Sequence, residues 1–147
     1  MITIDQNTAK HEHIIRVISD FLDLLEAMNI EKWINLWAEE GVHNMPYAPA
    51  GFPNRLEGKE TIFRHFSTLP KAMKRMAFID RKIYPTLNPN LAIAEYYGET
   101  EIADTGRSYN NHYCGLFELR DGRLISVKEY FNPLVFKESF GDNTPQA

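Results

Sequence analysis

A chain of 147 residues has the size of one domain and buries roughly two-thirds of its unfolded surface, without needing disulfides or a structural metal. With 44% hydrophobic residues, 24% charged residues and a net charge of −4, it is neither disordered nor fibrous. It also lacks the dense basic face of an electrostatic nucleic-acid binder. The lone cysteine, Cys114, excludes an internal disulfide and a cysteine-based zinc site. No apolar run approaches the roughly 20 residues that span a bilayer. The opening MITIDQNTAKHEH has no charged-then-apolar leader pattern. The expectation is one cytoplasmic domain over 1–147, off the membrane, with a core over about 9–136 and a loose polar tail over 137–147. Aromatic residues reach 12%, and so many rings must fill a core or line a cavity.

A first helix is predicted from a cap near Thr8 to about Met28, because Ile14, Ile15, Ile18, Phe21, Leu22 and Leu25 recur at helical steps. Asn29 stops it, and a shorter helix from Ile30 to about Ala38 carries Trp33, Ile34, Leu36 and Trp37. Val42 to Met45 reads as a short strand. Pro46, Pro49, Gly51 and Pro53 then forbid regular structure and fix a loop. A third helix begins near Gly58, ends before Pro70, and faces inward with Ile62, Phe63, Phe66 and Leu69.

After Lys74 the period becomes that of strands: Met76–Tyr84, Leu91–Ile102, Tyr109–Leu119 and Leu124–Phe131. Asp121-Gly122 between the last two is a two-residue hairpin signal. Helices first and a sheet afterwards is an α+β arrangement. A curved antiparallel sheet wraps over the three N-terminal helices, leaving one end open for a cavity.

A regular ladder from that turn pairs Arg120 with Arg123, Cys114 with Glu129, Leu116 with Val127 and His112 with Phe131. Glu129 then shares a face with His112, Cys114, Leu116, Ile125, Val127 and Phe131, while Tyr113, Phe117 and Tyr130 form an opposite face fit for a homodimer. A carboxylate among apolar neighbours loses hydration, which suits proton transfer; a solvated or hydrogen-bonded structural glutamate is the alternative. His65 borders the inner face of its helix, and His112 lies on the inner sheet face. Each alone reads more readily as a packing residue, but with Glu129 they make three titratable groups able to face one cavity. Tyr109 and Asn111 stand where they can donate to a ligand oxygen. Tyr47, Phe52 and Phe131 read as cavity lining, His43 as structural and Trp37 as core. His11 and His13 read as surface residues, no metal-ligand spacing occurs in the body of the chain, and no phosphate loop or nucleophile set appears. Acid/base chemistry is the chemistry that remains, with a non-catalytic ligand-binding module or an accessory protein as the alternatives.

Helix–helix–strand–helix–sheet order with MPYAPAGFPNRLEGKETIFRHF in the middle resembles the SnoaL-like branch of the nuclear-transport-factor-2-like superfamily, from about His11 to Phe136. Asn111-His112-Tyr113, Phe117, Asp121-Gly122-Arg123 and Lys128 to Pro133 are similar to the phenazine-biosynthesis A/B proteins. The resemblance implies a conical α+β barrel, commonly a homodimer, with a hydrophobic pocket between sheet and helices. It also implies members that move protons on cyclic ketones without a cofactor, as polyketide cyclases and ketosteroid isomerases do. It places acid/base groups at Glu129 and His65 and a ligand-contacting tyrosine near Tyr109.

Overall fold

The computed structural model describes residues 2–140, with side chains from Asn7 onward. Helix α1 (Ile2–Glu26) starts before the expected cap at Thr8. Its stripe Ile14, Val17, Ile18, Phe21, Leu22 and Leu25 is buried, which is why this segment is amphipathic. Met28 ends the turn in the left-handed region (φ 55°), and the Asn29 side chain accepts from the Lys32 N–H at 3.2 Å to open α2 (Ile30–Trp33). One 3-10 turn, Ile34–Leu36, leads directly into β1 (Trp37–Asn44). The second helix is therefore shorter than its apolar pattern suggests: Trp37 is already strand.

A short strand that the sequence did not announce, β2 (Arg55–Glu57), pairs antiparallel with β1. It precedes α3 (Lys59–Phe66) and the single turn α4 (Leu69–Ala72). Pro70 does not stop the chain there, because it occupies the first turn of α4, where its missing N–H is not needed. Strands β3 (Met73–Pro85), β4 (Leu91–Ile102), β5 (Ser108–Arg120) and β6 (Arg123–Phe131) follow, then a helix α5 (Pro133–Phe140). The expected loose tail is thus helical to Phe140, and its remainder from 141 lies outside the described residues.

The six strands form one curved, unclosed sheet in the order β2-β1-β6-β5-β4-β3, with β2 and β3 as free edges. All its pairs are antiparallel except β1 with β6. Two bulges bend it. In β3 one extra residue lies between Ile79 and Lys82, and Asp80 there has φ 52°. Glu26, at the end of α1, accepts from the Phe78 N–H at 2.5 Å and pairs with Arg81 at 3.2 Å, so helix and bulge hold one another. Further ties come from His11 and His13. Both lie well inside α1, and their Nε2 atoms contact the carbonyls of Thr86 (3.1 Å) and Gly122 (2.9 Å) in two strand-connecting turns.

The second bulge decides which residues face inward. Arg120 and Leu119 pair with Arg123 and Leu124 across the Asp121-Gly122 turn, but Glu118 then pairs with Ser126, leaving Ile125 unpaired. Beyond it Phe117 faces Val127, Gly115 faces Glu129 and Tyr113 faces Phe131. A one-residue slip turns a strand over. The inner face of β5 is therefore Tyr109, Asn111, Tyr113 and Phe117, and the predicted inner set His112, Cys114 and Leu116 lies outside. Leu124 and Val127, three apart, are both fully buried because the bulge lies between them.

Candidate active site

The inner face divides into two aromatic groups. Under α1, Phe21, Trp33, Trp37 and Phe117 are fully buried, with ring centroids 5.1–6.4 Å apart. At the other end Tyr109, Phe131 and Phe136 make a smaller cluster with Phe52 and Phe140 around it. The second group, and not Phe21, Trp33, Trp37 or Phe117, lines a cavity of about 310 Å³. Leu69, Met73, Met76, Phe78 and Phe131 give it an apolar lining, and among the described residues Glu129 is the only carboxylate in its wall.

Strand β6 carries Glu129 inward, and its side chain keeps 15% of its surface exposed. Its direct neighbour on β5 is Gly115, which has no side chain to cover it; a Cβ there would lie 2.7 Å from the Phe117 ring. The Tyr96 hydroxyl on β4 donates to Glu129 Oε2. Oε1 lies 3.5 Å from Nε2 of His43. His43 reaches this point because β1 pairs with β6 at His43–Val127, one inward step from Glu129. Only 1% of the His43 surface is exposed, and neither ring nitrogen has a hydrogen-bond partner. Burying an unpartnered polar group costs about 1–3 kcal/mol. The reading of His43 as structural therefore gives way to a place in the site.

Opposite polar groups come from β5. Asn111 Nδ2 donates to the Tyr109 hydroxyl at 3.0 Å, and the Tyr113 hydroxyl donates to the same oxygen at 3.2 Å. Tyr109 thus accepts two hydrogen bonds, and its own proton remains to be given to a ligand. Accepting bonds polarises an O–H and strengthens it as a donor. Gly98 on β4 makes room for this arrangement, since a Cβ there would lie 2.8 Å from the Tyr113 ring. Burial pushes the Tyr109 phenol up to about 12. It pushes Tyr96 and Tyr113 well above the usual phenol value too, with the Glu129 charge adding to both. All three are donors across the physiological range. Burial, and then the His43 charge, lowers the pKa of His65, which keeps that imidazole neutral near pH 7.

Of the residues that the sequence proposes for the site, His65, Tyr109, Phe52, Phe131 and Glu129 line this one cavity. Asn111 does not line it. It is buried behind Tyr109, with its amide also bonded to the backbone O and N–H of Asn132 at 3.0 and 3.1 Å. His112 faces outward against Tyr97, at 4.6 Å between ring centroids, because of the β6 bulge. Tyr47 is 57% exposed and packs on the outer face against Tyr130. The Pro loop turns twice, Ala48 N–H to Met45 O at 3.0 Å and Phe52 N–H to Pro49 O at 3.1 Å. It brings Phe52 in and leaves Tyr47 out. Sequence reasoning missed His43, Tyr96 and Tyr113, and the rings of α5. Alternation of Gly41, His43 and Met45 along β1 is the signal that could have placed His43. Among the described residues no helix is long and apolar enough to cross a membrane, and no group of three His, Cys, Asp or Glu could hold a metal ion.

A family model described as the SnoaL-like domain matches residues 18–127. The chain belongs to the SnoaL-like family. A relative, the uncharacterized protein YesE of Bacillus subtilis (strain 168), is 34% identical over 92% of this chain and 92% of its own length. An uncharacterized PhzA/B-like protein of Pseudomonas aeruginosa is 35% identical over 82% of this chain and 84% of its own. A crystal structure of a Bacillus subtilis protein proposed to be an isomerase superposes with a TM-score of 0.84 at 33% identity. That match covers 90% of this chain and 95% of the other.

Proposed function

We propose that the chain is a cofactor-independent acid/base enzyme of the isomerase or cyclase type, working as a cytoplasmic homodimer on a small hydrophobic cyclic or polyketide-like carbonyl or imine compound. The observation that carries this reading is Glu129: among the described residues, the one carboxylate in an otherwise largely apolar chamber, held by Tyr96 and uncovered by Gly115. Glu129 removes a proton from the carbon beside a carbonyl, and the C–H electron pair shifts to leave negative charge on the carbonyl oxygen. Tyr109 donates to that oxygen, as a pre-placed donor does. The proton returns from Glu129 to another carbon of the conjugated system, and the enolate collapses to the isomer. His65, neutral and partly exposed, is the partner acid or base. Asn111 acts through Tyr109 rather than on the ligand.

A cavity of about 310 Å³ is at the small end for ligand pockets, which limits the substrate to a compact ring system. The proposed isomerase activity of the similar Bacillus subtilis protein supports the same reaction class. The outer sheet face, with Tyr97, His112 and the Tyr47–Tyr130 pair, is the surface for a second copy.

The test is incorporation of solvent deuterium, followed by NMR, into a panel of small β,γ-unsaturated cyclic ketones in D2O. Wild type is expected to exchange the proton beside the carbonyl, and Glu129→Gln to lose at least about a hundredfold while keeping its fold. Equal rates in the two proteins would remove Glu129 from the chemistry. A Glu129→Gln effect on ketone affinity alone, with no exchange by wild type, would make the chain a binding module.

A further inference from the structure

His43 is the least expected residue of the chamber. It is 1% exposed, lines the cavity, and leaves both ring nitrogens without a hydrogen-bond partner. Packing explains its place only in part. Trp37 and Phe66 sit 6.0 and 5.3 Å from the ring, centroid to centroid, and a phenylalanine would satisfy those contacts without a buried polar cost. What a phenylalanine could not supply is Nε2, 3.5 Å from Oε1 of Glu129. The other carboxylate oxygen is already taken by Tyr96. Oε1, without that donor, keeps the greater proton affinity of the two oxygens and is the one that faces His43.

We infer that His43 is the proton partner of Glu129, a positioning residue that acts through that carboxylate rather than on the substrate. This rests on the acid/base reading proposed above. After Glu129 has taken the substrate's proton, Oε1–H faces Nε2. The proton passes to the ring, giving imidazolium and carboxylate from imidazole and carboxylic acid, with no change in total charge. It returns by the same path for delivery to the substrate. Of the titratable groups around the ring, Glu129 comes from β6 and His65 from α3, whose proton affinity the His43 charge lowers. Strand β2 pairs Leu56 with His43, and its Arg55 and Glu57 are exposed and paired with each other at 2.5 Å.

Two measurements test the inference, one without substrate. In protein labelled with 15N-histidine, the ring signals of His43 are expected to shift between wild type and Glu129→Gln. Identical signals overturn the pairing, even where Glu129→Gln abolishes exchange and the proposed reaction stands. In the D2O exchange assay, His43→Gln and His43→Phe are expected to lower kcat by roughly a hundredfold with KM little changed, and to alter the pH profile. Thermal unfolding shows whether either variant still folds; where neither does, the NMR comparison alone decides. Variants that fold and exchange like wild type, while Glu129→Gln does not, reduce His43 to packing. Full exchange by Glu129→Gln instead overturns the acid/base reading itself, and the role of His43 in it.

Discussion

The same sheet covers two aromatic groups that behave differently. Where α1 lies across it, Phe21, Trp33, Trp37 and Phe117 interlock with no exposed surface to speak of. Beyond the end of α1 the strands continue, but their cover is the Pro loop, the last turn of α3, α4 and the short α5. There Tyr109, Phe131, Phe136 and Phe140 meet at tilted and edge-on angles around about 310 Å³ of space. Rings of one kind fill volume at one end and enclose it at the other. The difference comes from the length of the covering helix and not from the composition of the sheet. Polar groups follow the same division: Glu129, His43, Tyr109 and Tyr113 all belong to the open end.

Four substitutions can break or sharpen this contrast. The largest effect is expected at the packed end. Phe117→Ala should cost about 3–5 kcal/mol of unfolding free energy in denaturant titration, as full truncation of a buried ring does. Phe131→Ala, on the cavity wall, should cost clearly less, since one side of that ring faces space already; equal losses would mean that the chamber is packed shut in solution. Tyr109→Phe comes next, with a loss of about 10²–10³ in the deuterium exchange rate, the usual effect of removing one oxyanion donor, and little change in stability. A Tyr109→Phe protein that exchanges at the wild-type rate would move the oxyanion elsewhere. Gly115→Ala should cost about 1–3 kcal/mol, because its methyl would be driven against the Phe117 ring. It joins the two regions, and a stability loss with unchanged exchange would show them to be energetically separate.

The smallest effect concerns pH. Burial lowers the pKa of His65 from its ordinary 6.5 in the folded chain. Below that pH the unfolded chain binds the proton more readily, so unfolding free energy falls as pH drops from about 6.5 toward the folded value. His65→Gln should flatten that segment of the stability curve and leave the curve above neutrality unchanged. The same slope in both proteins would place His65 in water, outside the chamber.

Much of this was legible locally. Strand β4 has the bounds that its alternation predicts, Leu91–Ile102, and the Asp121-Gly122 turn forms as its residues require, with φ of 52° and 79°. The inward placement of Glu129 is also met, but by a route different from the regular ladder. The ladder failed at Ile125, whose bulge has no signature in residue type: Leu124, Ile125 and Val127 are all apolar, and the buried pair is chosen by what lies beneath them. That choice exchanged His112 for Tyr113 on the inner face. The parallel pairing of β1 with β6 was invisible for another reason. It joins residues about 85 positions apart, His43 to Val127, and no local period records such a contact. The aromatic cover of α5 was hidden as well, because a short polar tail gives a weak helical period until a cavity offers its rings a place.

The division of the sheet is worth most if one ligand touches Glu129 and Tyr109 together. That is most directly tested by a crystal structure of the protein with a planar phenol, whose oxygen imitates the charged oxygen of an enolate. The expected density has the phenol oxygen about 2.7–2.8 Å from the Tyr109 hydroxyl and the ring edge against the Glu129 carboxylate, inside the walls formed by Met76, Phe131 and Phe136. A phenol bound outside those walls, or a chamber closed by its own Phe52 and Phe140 side chains, would contradict it.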